Sequence, residues 1–133
     1  MAPNAHRALF ISAAGFNVLA GLLLVAAMGT AAGLMGLPLN PTAVLFIHIT
    51  AGVVLVFGGV YWMIARDPVR YRPYIPLGIV LKVLVIVVVS GHWLAGHISW
   101  PLPALAAGDA IYAVLFWRYY RGTAISIPTV QPM

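Results

Sequence analysis

The chain has no cysteine, a single lysine, and only two acidic residues, Asp67 and Asp109. The missing cysteine excludes disulfides, thiol catalysis and cysteine-ligated metals, and leaves the compartment open. The shortage of charge excludes more. Charged residues make up 7% of the 133 and hydrophobic ones 63%, whereas a soluble domain has about a quarter charged and roughly half apolar. So few charges cannot clothe a water-facing surface, and lipid is the solvent that matches this composition. The length gives one domain, residues 1–133.

A net charge of +5 raises nucleic acid as a partner. However, Arg66, Arg70, Arg72, Arg118 and Arg121 stand at the ends of apolar runs, where topology signals sit, and form no binding patch. Nucleic-acid binding is set aside.

What is present is a series of long apolar runs. The first extends from Ala8 to about Gly36 or Leu37 and ends at Gly33, Gly36 and Pro38. At about 1.5 Å per residue it crosses a hydrocarbon core of roughly 30 Å with tilt to spare. A cleaved signal peptide, with Arg7 at its charged end and Ala26 or Ala32 near the cleavage site, is the rival reading. The run is far longer than the ~7–15-residue apolar core of such peptides.

Asn40-Pro41 predicts a helix start, with Asn as N-cap and Pro in the first turn. The second span covers 41–65 and stops at Arg66-Asp67-Pro68. A loop rich in Arg, Pro and Tyr leads to a third span over 74–96. Its Val83–Val89 segment has strand propensity, but a lone strand in lipid leaves its backbone unpaired, so helix is predicted. Ser99-Trp100-Pro101 marks a turn, the fourth span covers 101–121, and 122–133 is a tail.

The fold class expected is therefore an all-α membrane protein, a bundle of four transmembrane helices. Arg7, the Arg66–Arg72 loop and the Arg118/Arg121 end fall on one side, and the loops 36–42 and 96–101 hold no Lys or Arg. The positive-inside rule then gives both termini cytoplasmic, N-in and C-in. Tyr61, Trp62, Tyr71, Tyr74, Trp117, Tyr119 and Tyr120 are expected to form an inner aromatic belt, with Trp93 and Trp100 outside.

Charge inside a span is costly and normally pairs or lines a cavity. Lys82 lies eight residues into its span, and Asp109 nine residues before Arg118. At about 1.5 Å per residue both sit some 12–14 Å from the inner surface. Asn17, ten residues beyond Arg7, reaches the same level, and Gly58 and Gly59 are its counterparts on the second span. Asn17, Lys82 and Asp109 are expected to form a buried polar layer opposite the glycine pair. It is either a structural ion pair that fixes helix register or a relay or anchor for a polar ligand group.

A second layer near the outer side would draw on His48, His92 and Met28. Histidine with methionine suits haem or copper, and four-helix bundles hold metals between facing side chains. The alternative is ordinary hydrogen-bonded interfacial histidine. His92 and His97, five apart near the outer end of the third span, are expected on different faces and so not to chelate. Gly29 and Gly33 form a GxxxG, and Ala104 and Gly108 repeat the spacing, for packing within the bundle or against another chain.

The run Tyr61-Trp62-Met63-Ile64-Ala65-Arg66-Asp67-Pro68 is followed by Pro73, Leu77-Gly78 and Lys82, then Trp93-Leu94, Gly108-Asp109 and Leu115-Phe116. This pattern resembles a group of small bacterial four-helix membrane proteins similar to the DoxX-like proteins, over about the second to fourth helices. The resemblance implies the bacterial cytoplasmic (inner) membrane and a four-helix fold. Some DoxX relatives are subunits of quinone-linked oxidases, but no catalytic motif of theirs matches, so no active-site residue carries over.

Three functions follow as expectations. The first is a non-enzymatic accessory or scaffolding subunit, with the lipid bilayer, other membrane subunits or a second copy as partners. The second is a redox or ligand-handling protein with lipid, quinone or haem between its helices. The third is a proton or small-ion conductor, which needs a polar path to both faces, whereas Leu, Val and Ala fill most of the space between the layers. No nucleophile–base pairing, second carboxylate or phosphate-cradling loop points to an enzyme.

Overall fold

The computed structural model describes residues 3–26, 28–35 and 38–123. Within them the chain forms five helices: α1 (Pro3–Ala26), α2 (Met28–Met35), α3 (Pro41–Arg66), α4 (Tyr74–Leu94) and α5 (Pro101–Gly122). No strand occurs among the described residues, and the valine-rich segment lies inside α4. The first helix starts at Pro3 rather than Ala8, and α4 ends at Leu94 rather than at 96. Beyond Thr123 the expected tail lies outside the described residues.

Among the described residues three helices are long and apolar enough to cross a membrane: the Ala5–Ala26 part of α1, together with α3 and α4. Their outer faces carry large apolar side chains such as Leu19, Phe46, Val56, Val80 and Val87, all well exposed. A surface of that kind suits lipid and would be a liability in water.

Local signals account for the helix ends. Asn40 is extended and its Oδ1 accepts from the Ala43 amide at 2.8 Å, with Pro41 in the first turn of α3. This satisfies one of the orphan donors of a helix start. At the far end, Asp67 Oδ1 accepts from the Arg70 amide at 3.0 Å and shapes the turn into α4. Arg72 in that turn donates to the carbonyls of Tyr120, at 2.8 Å, and Thr123, at 3.1 Å, and lies 4.0 Å from the centre of the Tyr120 ring. Its charge meets the negative end of the α5 dipole, which ties the α3–α4 turn to the end of α5.

Helix α1 packs mainly on α3, and α4 mainly on α5. The first pair approaches closely because small residues face each other. On α3, Ala51, Gly58 and Ala65 recur every seven residues and are all buried. On α1, Gly58 meets Ala14 and Asn17, and Ala51 meets Gly21. A Cβ at Gly21 would lie 2.7 Å from Leu55 Cγ, and one at Gly58 would lie 2.9 Å from Val18 Cγ2. Among the described residues nothing lies within 4 Å of a Cβ added at Gly29 or Gly33. Gly108 packs against the Phe16 ring, at 3.1 Å from an added Cβ.

The two pairs join through an aromatic core. Phe10, Ala13, Ala14, Tyr61, Ile64, Ala65, Ile75, Phe116 and Tyr119 form one buried cluster. Phe10 stacks on Phe116 at 4.8 Å between centroids and meets Tyr119 edge-on at 5.4 Å, while Tyr61 meets Phe116 edge-on at 5.1 Å. Such pairs contribute about 0.5–1.5 kcal/mol each beyond their buried area. This corrects the expected belt: Tyr61 and Tyr119 belong to the core, while Trp62, Tyr74 and Trp117 remain exposed. Tyr61 is drawn inward because it sits one turn from Gly58, on the small-residue face of α3, and Gly78 on α4 leaves room for its ring.

Candidate functional site

Directly beside the aromatic core lies the polar cluster. Lys82, on α4, is 2% exposed, and its Nζ donates to Asp109 Oδ1 on α5 at 2.6 Å. The same Nζ lies 3.4 Å from Asn17 Oδ1 on α1. Asn17 in turn donates through Nδ2 to the Val54 carbonyl on α3, at 3.2 Å. One chain of hydrogen bonds thus touches all four long helices.

The ammonium also lies among four rings. Its Nζ is 5.2 Å from the centre of Tyr61, 5.5 Å from those of Phe16 and Tyr112, and 6.0 Å from that of Phe116. Cation–π attraction reaches about 2 kcal/mol where water is excluded. An ammonium has three N–H donors. Two have oxygen partners, and the π-faces surround the rest of the group. The carboxylate side is more open, with the Asp109 side chain 16% exposed.

The two glycines of the expected layer separate. Gly58 is buried at the α1–α3 contact, with Asn17 Cβ 3.5 Å from an added Cβ. Gly59 is exposed, and among the described residues nothing lies within 4 Å of a Cβ added there. Successive residues on a helix are about 100° apart, so only one of an adjacent pair can face a given neighbour. Depth along the helix places both; azimuth selects Gly58.

The aromatic cage was not anticipated from the sequence. A signal for it was present, since Tyr112 and Phe116 stand three and seven residues beyond Asp109 and share its face of α5. Phe16 is on α1 beside Asn17.

Tyr61 carries a buried hydroxyl with no hydrogen-bond partner among the described residues. Leaving such a group unsatisfied costs roughly 1–3 kcal/mol. Tyr61→Phe is accordingly expected to keep or raise stability, by up to about 1 kcal/mol, in detergent unfolding titrations. A clear loss would mean that the hydroxyl is bonded in the working protein.

The outer histidines are arranged differently from expectation. His48 is exposed on α3, Met28 is half-buried on α2, and His92 is exposed near the end of α4. The ring partner of His92 is His97, with their Nδ1 atoms 3.1 Å apart. The expectation that these two point apart is overturned, because the chain leaves the helical path between them. Gly96, at φ 77°, turns the backbone into the left-handed region. Among the described residues no three His, Cys, Asp or Glu side chains gather to hold a metal.

A shallow cavity of about 260 Å³ lies at the arginine-rich end, lined by Arg7, Ile11, Trp62, Ala65 and Arg66. It joins two guanidinium groups to apolar and aromatic surface, a combination suited to lipid headgroups at an interface.

Comparison with protein-family models, with curated proteins and with solved structures gives no match for this chain.

Proposed function

We propose that this chain is a non-enzymatic accessory or scaffolding subunit of the bacterial inner membrane, built as four transmembrane helices with both termini cytoplasmic. The observation that carries this reading is the node of Lys82, Asp109 and Asn17. It engages α1, α3, α4 and α5 at one level and uses its polar groups on one another. A buried polar network of this kind fixes which helix faces meet, and register setting is its best-attested role.

Helix α5 is the least apolar of the four long helices, carrying Asp109, Arg118 and Arg121. Pairing with Lys82 offsets the charge of Asp109 and makes α5 suitable as a fourth span. Orientation rests on the arginines. Arg7 and Arg66 line one cavity and Arg72 reaches the end of α5, so the positive charges gather at one end of the bundle. The resemblance to DoxX-like proteins belongs to the same proposal and rests on the residues quoted for it.

The cysteine-free chain makes topology easy to test. Val69, in the turn before α4, and Leu94, its last residue, are both highly exposed. In intact spheroplasts a membrane-impermeant maleimide is expected to label Leu94→Cys and spare Val69→Cys. The reverse pattern would invert the orientation. For the function itself, the protein extracted in mild detergent is expected to be colourless and to migrate in a particle well above its 14.2 kDa. A Soret band would replace the scaffold reading with a redox one, and a lone colourless monomer would remove the subunit role.

A further inference from the structure

The end of α4 builds a geometry that the polar node does not use. The His97 amide donates to the His92 carbonyl at 2.9 Å, and the Gly96 amide to the Trp93 carbonyl at 3.0 Å. These are the two hydrogen bonds of a Schellman motif, with Gly96 as its left-handed residue. The motif brings the residue after the glycine back over the residue five positions earlier, usually as an apolar contact. Here both positions are histidine. Their rings are 5.3 Å apart between centroids, both side chains are exposed, and Nδ1 faces Nδ1 at 3.1 Å.

We propose that His92 and His97 form a two-imidazole chelate for a borderline divalent transition-metal ion, Cu(II) or Zn(II). With metal–nitrogen bonds of about 2.05 Å, a separation of 3.1 Å gives an N–metal–N angle of about 98°. That lies between the square arrangement of Cu(II) and the tetrahedral one of Zn(II). The backbone motif holds the donors together before the ion arrives, so little ordering is left for binding to impose. In the free protein one Nδ1–H donates to the other Nδ1; on binding, that ring shifts its proton to Nε2 through water, so both Nδ1 lone pairs reach the ion and water fills the remaining positions. From Leu94 to Pro101 there is no Lys or Arg to repel a cation. The site is independent of the scaffold role and of the His48–Met28 layer.

The test uses the full chain in detergent or nanodiscs, stripped with a chelator and titrated with Cu(II) or Zn(II) alone. One ion per chain is expected. His92→Gln and His97→Gln should each weaken it about tenfold or more, while His48→Gln leaves it unchanged. Gly96→Ala should also weaken it without removing a ligand, because alanine resists a φ of 77°. Circular dichroism confirms that each variant is folded. Binding that survives His97→Gln, or that follows His48, would overturn the proposal. Indifference to Gly96→Ala would overturn the role of the motif.

Discussion

Lys82→Met is expected to destabilise the protein by about 3–5 kcal/mol, measured by unfolding in mixed micelles of increasing dodecyl sulfate content. The substitution keeps the apolar stem and removes only the charge. Asp109 then loses a partner at 2.6 Å, and Asn17 Oδ1 loses its contact at 3.4 Å. Asp109→Leu is expected to be at least as harmful. It leaves an ammonium that is 2% exposed among four aromatic rings with Asn17 as its remaining oxygen partner. The double variant removes both charges, and apolar replacement of a buried pair is often neutral or better. It should therefore recover to within about 1 kcal/mol of the parent. Additive losses in the double variant would end the ion-pair account. Recovery of stability together with failure to complement a deletion strain would turn the pair from a register device into a functional one.

Gly58→Leu is expected to cost about 1–3 kcal/mol from overpacking alone. A Cβ there already lies 2.9 Å from Val18 Cγ2 and 3.4 Å from the Ala14 carbonyl oxygen. Valine has little χ1 freedom in a helix and a backbone oxygen cannot swing aside, so α1 must move off α3. That motion also stretches the bond from Asn17 to the Val54 carbonyl, one turn before Gly58 on the same helix. The control is Gly59→Leu, where nothing lies within 4 Å. It should stay within about 0.5 kcal/mol of the parent, as surface changes usually do. Equal effects at the two positions would show that the α1–α3 contact is not as close as described.

These adjacent glycines mark the boundary of what could be read without a fold. Counting residues from the arginines placed Asn17, Gly58, Gly59, Lys82 and Asp109 at one depth, since helix rise is constant. Counting could not say which of them face inward. An amphipathic helix in water announces its buried side by a polar stripe on the other, but a helix surrounded by lipid is apolar all round. Tyr61 shows the cost of that ambiguity. By position it belonged to an interfacial belt, yet a glycine on the facing helix makes room for its ring beside Lys82.

The histidines mark a second boundary. On an unbroken helix His92 and His97 diverge. One glycine in the left-handed region reverses that relation and sets their Nδ1 atoms 3.1 Å apart. Gly96 was legible as the end of the third span, but its left-handed turn, which folds His97 back over His92, was not, because a residue's φ is set by the local three-dimensional path and not by the apolar run.

By itself the sequence determined the scarcity of charge, the apolar helices, the cap at Asn40 and the shared level of Asn17, Lys82 and Asp109 along their helices. All of these are properties of the chain in one dimension. Only the tertiary structure decided that Lys82 meets Asp109 and Asn17 inside an aromatic cage, and that Gly58 rather than Gly59 lines the contact. Those facts depend on azimuth and on close packing between helices, where about 100° of rotation or a single Cβ changes the neighbour.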